Sequence, residues 1–230
     1  MESIILSGKK FNYLILRKQI SSIRLRIKSR HSFTISSPFF TPKIFINGFI
    51  KKNQDWIVQH AAKISHPKNI KNLKKLNILG QDYQLIFVKT QKDSVVVFQK
   101  DQKIFINISL FTNKHIKKIF ESKLRPFALS LIKKELVHLS QQFGFKYNHV
   151  TVRNQSSRFG SCSSHGNLNF NWQIIFFPVD KFRHILLHEL THLKIKNHSK
   201  VFWDQLSIYD SHYKSNNLWL KHQGTKHFLF

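Results

Sequence analysis

The sequence predicts a mixed α+β chain, with a β-rich region over residues 1–112 and a region over 113–230 built around one histidine-bearing helix, the two packed as one unit. Three observations predict it. Short apolar-alternating runs separated by polar turns fill the first hundred residues. A long helical pattern starts at Asn113. Near the C-terminal end stands His188-Glu189-Leu190-Thr191-His192, with His198 six residues further on.

In the first region, Ile23-Arg24-Leu25-Arg26-Ile27-Lys28 alternates apolar side chains with cations, which describes a half-buried strand with a basic outer face. Phe33 and Ile35 continue after a polar turn. From Thr41 to about Ser65, Phe45, Phe49, Trp56 and Ile64 recur at near-helical intervals, a pattern weakened by Gly48. Strands follow around Tyr83–Val88, Ser94–Phe98 and Lys103–Ile108, separated by turns containing Asp93 and Asp101. No internal repeat is evident.

The helical pattern over Asn113–Gln142 is expected to bend or break at Pro126, which lacks a backbone donor, and to end near Gly144. Val150–Val152 begins a second β region. After the turn at Ser163–Asn167, Leu168, Phe170, Trp172, Ile174 and Phe176 fall at period two and predict one long strand, with Asn167, Asn169, Asn171 and Gln173 on its other face. Pro178 closes that strand, and the histidine helix begins near Val179. Ser199 is placed to start the next helix, with Phe202, Trp203 and Leu206 facing inward, and a last helix carries Leu218, Trp219 and Leu220.

Composition narrows the classes. Hydrophobic residues make up 41% of the 230, which is globular rather than disordered. The single cysteine, Cys162, excludes an intrachain disulfide. No stretch near Met1 reads as a secretory signal and no segment of about 18 apolar residues reads as a membrane span, so the expected location is cytoplasmic. The net charge of +27 gives a general, salt-sensitive attraction for polyanions. Only 8 of the 38 basic residues are Arg, whereas base and phosphate recognition often uses Arg forks. Abundant Lys, Asn, Ile and Phe also follow from AT-rich coding bias alone.

On a helix, His188 and His192 project from one face about 6 Å apart along the axis, a spacing that lets both bind one tetrahedral metal. Glu189 between them is placed as general base for a metal-activated water. Phe182, Leu186, Leu190 and Leu193 form the opposed apolar stripe. His184 continues the histidine row but lies too far from His192, about 12 Å along the axis, to share the same ion. His198 would lie about 9 Å beyond His192 if the helix continued, so it can be the third ligand only if the chain turns back. A helix end near Lys196 or Asn197 supplies that turn, because Asn tolerates the left-handed conformation. Asp204 is a candidate acceptor for a ligand's second ring nitrogen.

The residues Val152-Arg153-Asn154-Gln155-Ser156-Ser157-Arg158-Phe159-Gly160-Ser161-Cys162-Ser163-Ser164, then Asn169-Phe170-Asn171-Trp172, His188 through Leu193, Asn197-His198-Ser199 and Phe202-Trp203 strongly resemble the YgjP-like metal-dependent hydrolase family. The resemblance continues more weakly through Asp55-Trp56-Ile57 and Leu79-Gly80, so it covers most of the chain. It implies a zincin-like metallopeptidase region related in motif to the SprT-like group, with His188, His192 and His198 as zinc ligands and Glu189 catalytic. It also implies that the strand around Arg158–Cys162 lies near the cleft. The family's usual Trp before Gly-Ser-Cys is replaced by Phe159, which keeps an aromatic ring and loses the indole N–H. Cys162 reads as a packed thiol, since a fourth protein ligand would close the position a catalytic metal keeps open for water.

Three functions remain open at this level. The first is a zinc-dependent hydrolase, a metallopeptidase whose substrate side includes Arg158, Ser161 and Asn171. The second keeps the site and, by resemblance, cleaves nucleoside triphosphates such as UTP to pyrophosphate, with Mg²⁺ arriving on the nucleotide; no Gly-x-x-x-x-Gly-Lys loop supports it. The third is a basic nucleic-acid-associated binder.

Overall fold

The computed structural model of the chain describes residues 2–62, 70–155 and 158–229. Contacts divide the chain into two units, Met1–His66 and Pro67–Phe230. The division falls before the second group of strands rather than at 112/113. The reason is packing: Ile78, Ile104, Ile106 and Ile108 share one buried cluster with Phe120, Trp172, Leu186 and Leu190.

In the first unit, β1 (Glu2–Leu6), β2 (Lys9–Arg17), β3 (Arg24–Ser29) and β4 (Ser32–Ser37) form a sheet of order β1-β2-β4-β3. The β2/β4 pair is parallel and the outer pairs are antiparallel. Ser7 and Gly8 make the two-residue turn between β1 and β2, both with positive φ (47° and 74°), the conformation whose twist matches the flanking strands. The interval predicted as helical becomes α1 (Lys43–Lys52) and α2 (Gln54–Ala62). Gly48 lies inside α1; the break comes at Asn53, whose side-chain amide and backbone N–H both bond back to the Phe49 carbonyl. Ser65, the predicted end, lies outside the described residues. Ile46, Ile50, Ile57 and Ala61 from the two helices bury against Leu6, Phe11, Tyr13, Phe33 and Ile35 from the sheet.

The second unit opens with a sheet of the same plan. Its strands β5 (Lys75–Ile78), β6 (Gln81–Lys89), β7 (Ser94–Phe98) and β8 (Lys103–Ile108) have order β5-β6-β8-β7, with β6/β8 parallel. Leu79 and Gly80 form the first turn with φ of 48° and 83°. Inward positions correspond as well: Leu6 with Ile78, Phe11 with Tyr83, Tyr13 with Leu85, Phe33 with Ile104 and Ile35 with Ile106, all buried. The chain therefore contains a structural repeat, contrary to the reading of the sequence. What repeats is topology and the apolar character of the inner face, not residue identity.

A single helix, α3 (Asn113–Phe143), follows and runs through Pro126 without interruption. Thr112 caps it by accepting from the His115 N–H at 3.2 Å, and Gly144, at φ 69°, ends it. Then β9 (Val150–Arg153), β10 (Gly160–Cys162) and β11 (Leu168–Asn171) form a sheet of order β10-β11-β9. The predicted strand to Phe176 stops at Asn171. Residues Trp172–Phe176 form a 3-10 turn in which every residue is buried, so there is no solvent face for the alternation to serve. Asn171 starts that turn by accepting from the Gln173 N–H at 3.0 Å. Helices α4 (Val179–Thr191), α5 (Lys200–Tyr209) and α6 (Tyr213–Gln223) complete the α+β fold. Among the described residues no helix is long and apolar enough to cross a membrane.

Candidate metal centre

Helix α4 begins at Val179 after Pro178 and sits in the core on almost every side, with Phe182, Leu186 and Leu190 at most 1% exposed. It ends at Thr191, earlier than the sequence predicts. Asn197 does not supply the turn, since the described non-glycine residues with positive φ are Ser7, Leu79 and Gln102. The chain tightens instead. Thr191 donates its hydroxyl to the Leu187 carbonyl at 2.7 Å, and the N–H groups of Leu193 and Lys194 bond three residues back. That turn, directly after His192, brings His198 around to the helix.

His188 Nε2 lies 2.9 Å and His192 Nε2 3.2 Å from His198 Nε2. Among the described residues these three form the one histidine, cysteine and carboxylate group able to hold a metal, with ligand atoms within 4.8 Å of one another. Hydrogen bonding does not account for the arrangement. His192 gives its Nδ1–H to the Ile195 carbonyl at 3.0 Å, which leaves a lone pair on Nε2, and His198 has at most one Nε2–H to share between two neighbours. A tetrahedral zinc at about 2.0–2.1 Å from each nitrogen would need edges of roughly 3.3 Å, close to the spacing present. Burial, and then the neighbouring His192, His198 and His184, push His188 down to about 3, so its ring is neutral at ordinary pH, the form that can bind a metal. Burial lowers His192 as well, opposed by its bond to Ile195.

Two aromatic residues from α5 shape the cluster. Phe202, fully buried, packs against His188, His192 and His198 with ring centroids 4.9, 4.6 and 4.8 Å away. Trp203 stacks on His198 at 5.6 Å and donates its indole N–H to the His198 carbonyl at 3.2 Å. The sequence placed both in the core; their contacts add that Phe202 covers one side of the three imidazoles and that Trp203 holds the backbone of His198. The second ring nitrogen of His192 is held by the Ile195 carbonyl.

Glu189 is 7% exposed, and burial raises its carboxyl to about 8 against the opposing pull of the Arg158 charge. Gly160 lies against it. A Cβ at Gly160 would stand 2.7 Å from both Glu189 Cγ and Oε1, so only glycine lets β10 approach the carboxylate this closely. Sequence reasoning assigns no role to Gly160. Its place between Phe159 and Ser161 in the motif was the available signal.

Phe159 packs on Phe177 and Phe228 at 5.6 and 5.7 Å. Asn171 is fully buried and donates to the carbonyls of Gln155 and Arg158, so it supports the loop that carries Arg158 from behind. Gln173 is tied to Asn154 and to the Leu229 N–H. Ser161 lies on β10, an edge strand among those described, and pairs with Asn169 of β11. Cys162 lies outside the histidine group, and burial raises its thiol.

A cavity of about 350 Å³ adjoins the cluster, lined by His188 and Glu189 together with Arg158, Phe159, Gly160, His184, Ile185, Asn217, Leu220 and Lys221. The histidine nearest the cluster but outside it, His184, is bound at Nδ1 to Asp210 at 2.6 Å. The arrangement can hold a divalent metal next to one protected carboxylate and an open cavity.

No curated protein matches the chain. Among solved structures, the metallopeptidase zymogen jannalysin of Methanocaldococcus jannaschii is 23% identical, with a TM-score of 0.34 over 38% of this chain and 90% of that one. The metallopeptidase zymogen abylysin of Pyrococcus abyssi is 21% identical, also with a TM-score of 0.34, over 40% of this chain and 95% of that one. The model of the YgjP-like, metallopeptidase domain family matches residues 21–223, a span that includes the histidine cluster, Glu189 and Gly160. The chain accordingly belongs to the YgjP-like metallopeptidase family.

Proposed function

We propose that this protein is a zinc-dependent peptidase in which His188, His192 and His198 hold the metal and Glu189 is the general base. The observation that carries the reading is the convergence of three imidazoles, one of which, His188, lines a cavity together with the buried Glu189. An all-imidazole set with room for a further ligand suits zinc among the divalent ions. Bound there, zinc supplies Lewis acidity both to the scissile carbonyl and to the attacking water.

The chain's own residues do the rest. Glu189 takes the proton from water and later hands it to the leaving amine; its burial favours the protonated form that the second step needs. Gly160, with no Cβ, lets β10 lie against the carboxylate without displacing it. An extended peptide adds to the exposed edge of β10, near Ser161, with Arg158 beside Glu189 to stabilise developing negative charge. Phe202 excludes water from the far side of the imidazoles.

The test is cleavage of an unfolded protein such as casein by zinc-loaded wild type beside Glu189→Gln, with bound zinc measured in both and UTP as a parallel substrate. Proteolysis lost in the variant while zinc stays bound supports the reading. Equal proteolysis by both proteins, or Glu189-dependent release of pyrophosphate from UTP without proteolysis, rejects it.

A further inference from the structure

The link between β4 and α1 presents apolar side chains to solvent. Residues 38–41 make a turn in which the Thr41 N–H donates to the Pro38 carbonyl at 3.3 Å. Its two central residues are phenylalanines. Phe39 is more than half exposed, and Phe40, at 97%, touches almost nothing in its own chain. The first turn of α1 continues this surface with Ile44 and Phe45, both more than half exposed, while Ile46 and Ile50 of the same helix enter the core. Four large apolar side chains within seven positions are thus left in water, a concentration that marks an interaction surface. The turn is also braced. Arg17 Nη1 lies 3.1 Å from the Ser37 hydroxyl, 3.2 Å from the Pro38 carbonyl and 2.6 Å from the Thr41 carbonyl, so one guanidinium ties both ends of the turn. Pro38 and Pro42 restrict the backbone at the same two ends.

Cations stand beside this tip. The acceptors of Arg17 are neutral, so its charge is not cancelled by them. Lys18 is exposed and gives its backbone N–H to the Ser37 carbonyl at 2.9 Å, at the base of the turn, and Lys43 separates the turn from Ile44. Over residues 1–66 there are 12 Lys and Arg against two acids, Glu2 and Asp55, and Glu2 is already paired with Lys43 at 3.1 Å. An apolar tip beside cations complements an anionic lipid surface: the apolar side chains enter the boundary between headgroups and acyl chains, and the cations stay at the level of the phosphates. Base stacking on nucleic acid fits this surface less well, since Ile44 has no π face and stacking proteins set their rings along a cationic groove.

We propose that the turn at residues 38–41 and the start of α1 form a docking site for anionic membrane surfaces, with Phe39, Phe40, Ile44 and Phe45 inserting and Arg17, Lys18 and Lys43 supplying the charge attraction. The proposal is independent of the peptidase reading. Its test floats the full chain with vesicles of phosphatidylcholine alone and of phosphatidylcholine mixed with phosphatidylglycerol. Binding is expected to the mixed vesicles only, and weaker as salt rises. Phe39→Ser combined with Phe40→Ser should weaken it by about tenfold or more, because the tip supplies much of the apolar area that leaves water. Phe39→Leu combined with Phe40→Leu should bind within about twofold of wild type, because insertion needs apolar area and not a ring. Both pairs alter side chains outside the core, and circular dichroism checks that each folds. Vesicle binding unchanged in the serine pair would assign the attraction to the overall charge of +27 and overturn the proposal. Absence of binding to the mixed vesicles, or equal binding to both kinds, overturns it too. Equal losses in the leucine and serine pairs would point to ring stacking, and capture of single-stranded oligouridine in place of vesicles would make the turn a nucleic-acid platform; either result also overturns it.

Discussion

The sheet of β1–β4 and the sheet of β5–β8 share a strand order, a parallel central pair and a two-residue turn with both residues at positive φ, yet only the second belongs to the unit that carries the histidine cluster. In the first unit the inner face of the sheet is closed by α1 and α2, and the core ends there. In the second, the equivalent face joins a much larger cluster that includes α3, the 3-10 turn and α4. The turn at Leu79 even bonds directly to that layer, its N–H donating to the Ile175 carbonyl at 2.9 Å. The histidine cluster, Glu189 and Gly160 thus all come from the residues that follow Asn113, packed on the second copy of the sheet.

That contrast is most easily broken at the ligands. His188→Ala and, separately, His198→Ala are expected to lose stoichiometric zinc, with activity at background, because two imidazoles cannot replace three. Metal analysis of the purified variants checks this. Full zinc retention in either would remove that histidine from the site. The next largest effect is expected at Gly160→Ala. Its Cβ would collide with the Glu189 carboxylate, so kcat should fall by about 10–100-fold while zinc remains bound. Unchanged kcat would mean that Glu189 does not work from the position seen here.

In the metal-free protein, pH acts on the same helix from two directions. Glu189 is raised to about 8 by burial, so the stability it contributes is complete below its ordinary 4.5 and is lost as pH rises toward 8. His188 is lowered to about 3 by burial, so its contribution is present above 6.5 and is lost as pH falls toward 3. Thermal melts are expected to drop by several degrees on each side, and Glu189→Gln should flatten the alkaline arm. An alkaline arm unchanged in the variant would assign that loss to another group.

The smallest expected effect sharpens the repeat itself. Gly8→Ala and Gly80→Ala place a side chain at φ of 74° and 83°, and each should lower the stability of its own unit by about 1 kcal/mol. Neither added Cβ meets a hard contact: nothing lies within 4 Å at Gly8, and Val179 Cγ2 lies at 3.6 Å from the one at Gly80. Urea denaturation reads the two losses. Clearly unequal values would show that the turns are not equivalent.

Much of this was legible in the sequence, and the failures have physical causes. Ser94–Phe98 and Lys103–Ile108 were read to the residue, because alternation reports a sheet with one buried face. His188, His192 and His198 were read from helix geometry and the requirement for a turn; the turn itself was misplaced, since Asn197 advertises a left-handed bend that Thr191 and the tight bonds after it make unnecessary. The alternation over Leu168–Phe176 misled because apolar spacing alone does not distinguish a strand from a 3-10 turn buried on all sides. The repeat was hidden because its two copies agree in the polarity of their inner positions while the side chains differ. The contact of Gly160 with Glu189 and the pairing of His184 with Asp210 were out of reach for another reason. Each depends on a contact between distant parts of the chain, which no local pattern encodes.

Anomalous diffraction at the zinc edge from crystals of the zinc-loaded protein tests the account most directly. A single strong peak at bonding distance, about 2.0–2.1 Å, from Nε2 of His188, His192 and His198, with Glu189 beside it and not coordinating, is the predicted result. Zinc bound elsewhere, or held by Glu189 or Cys162 in place of one of the histidines, would contradict it.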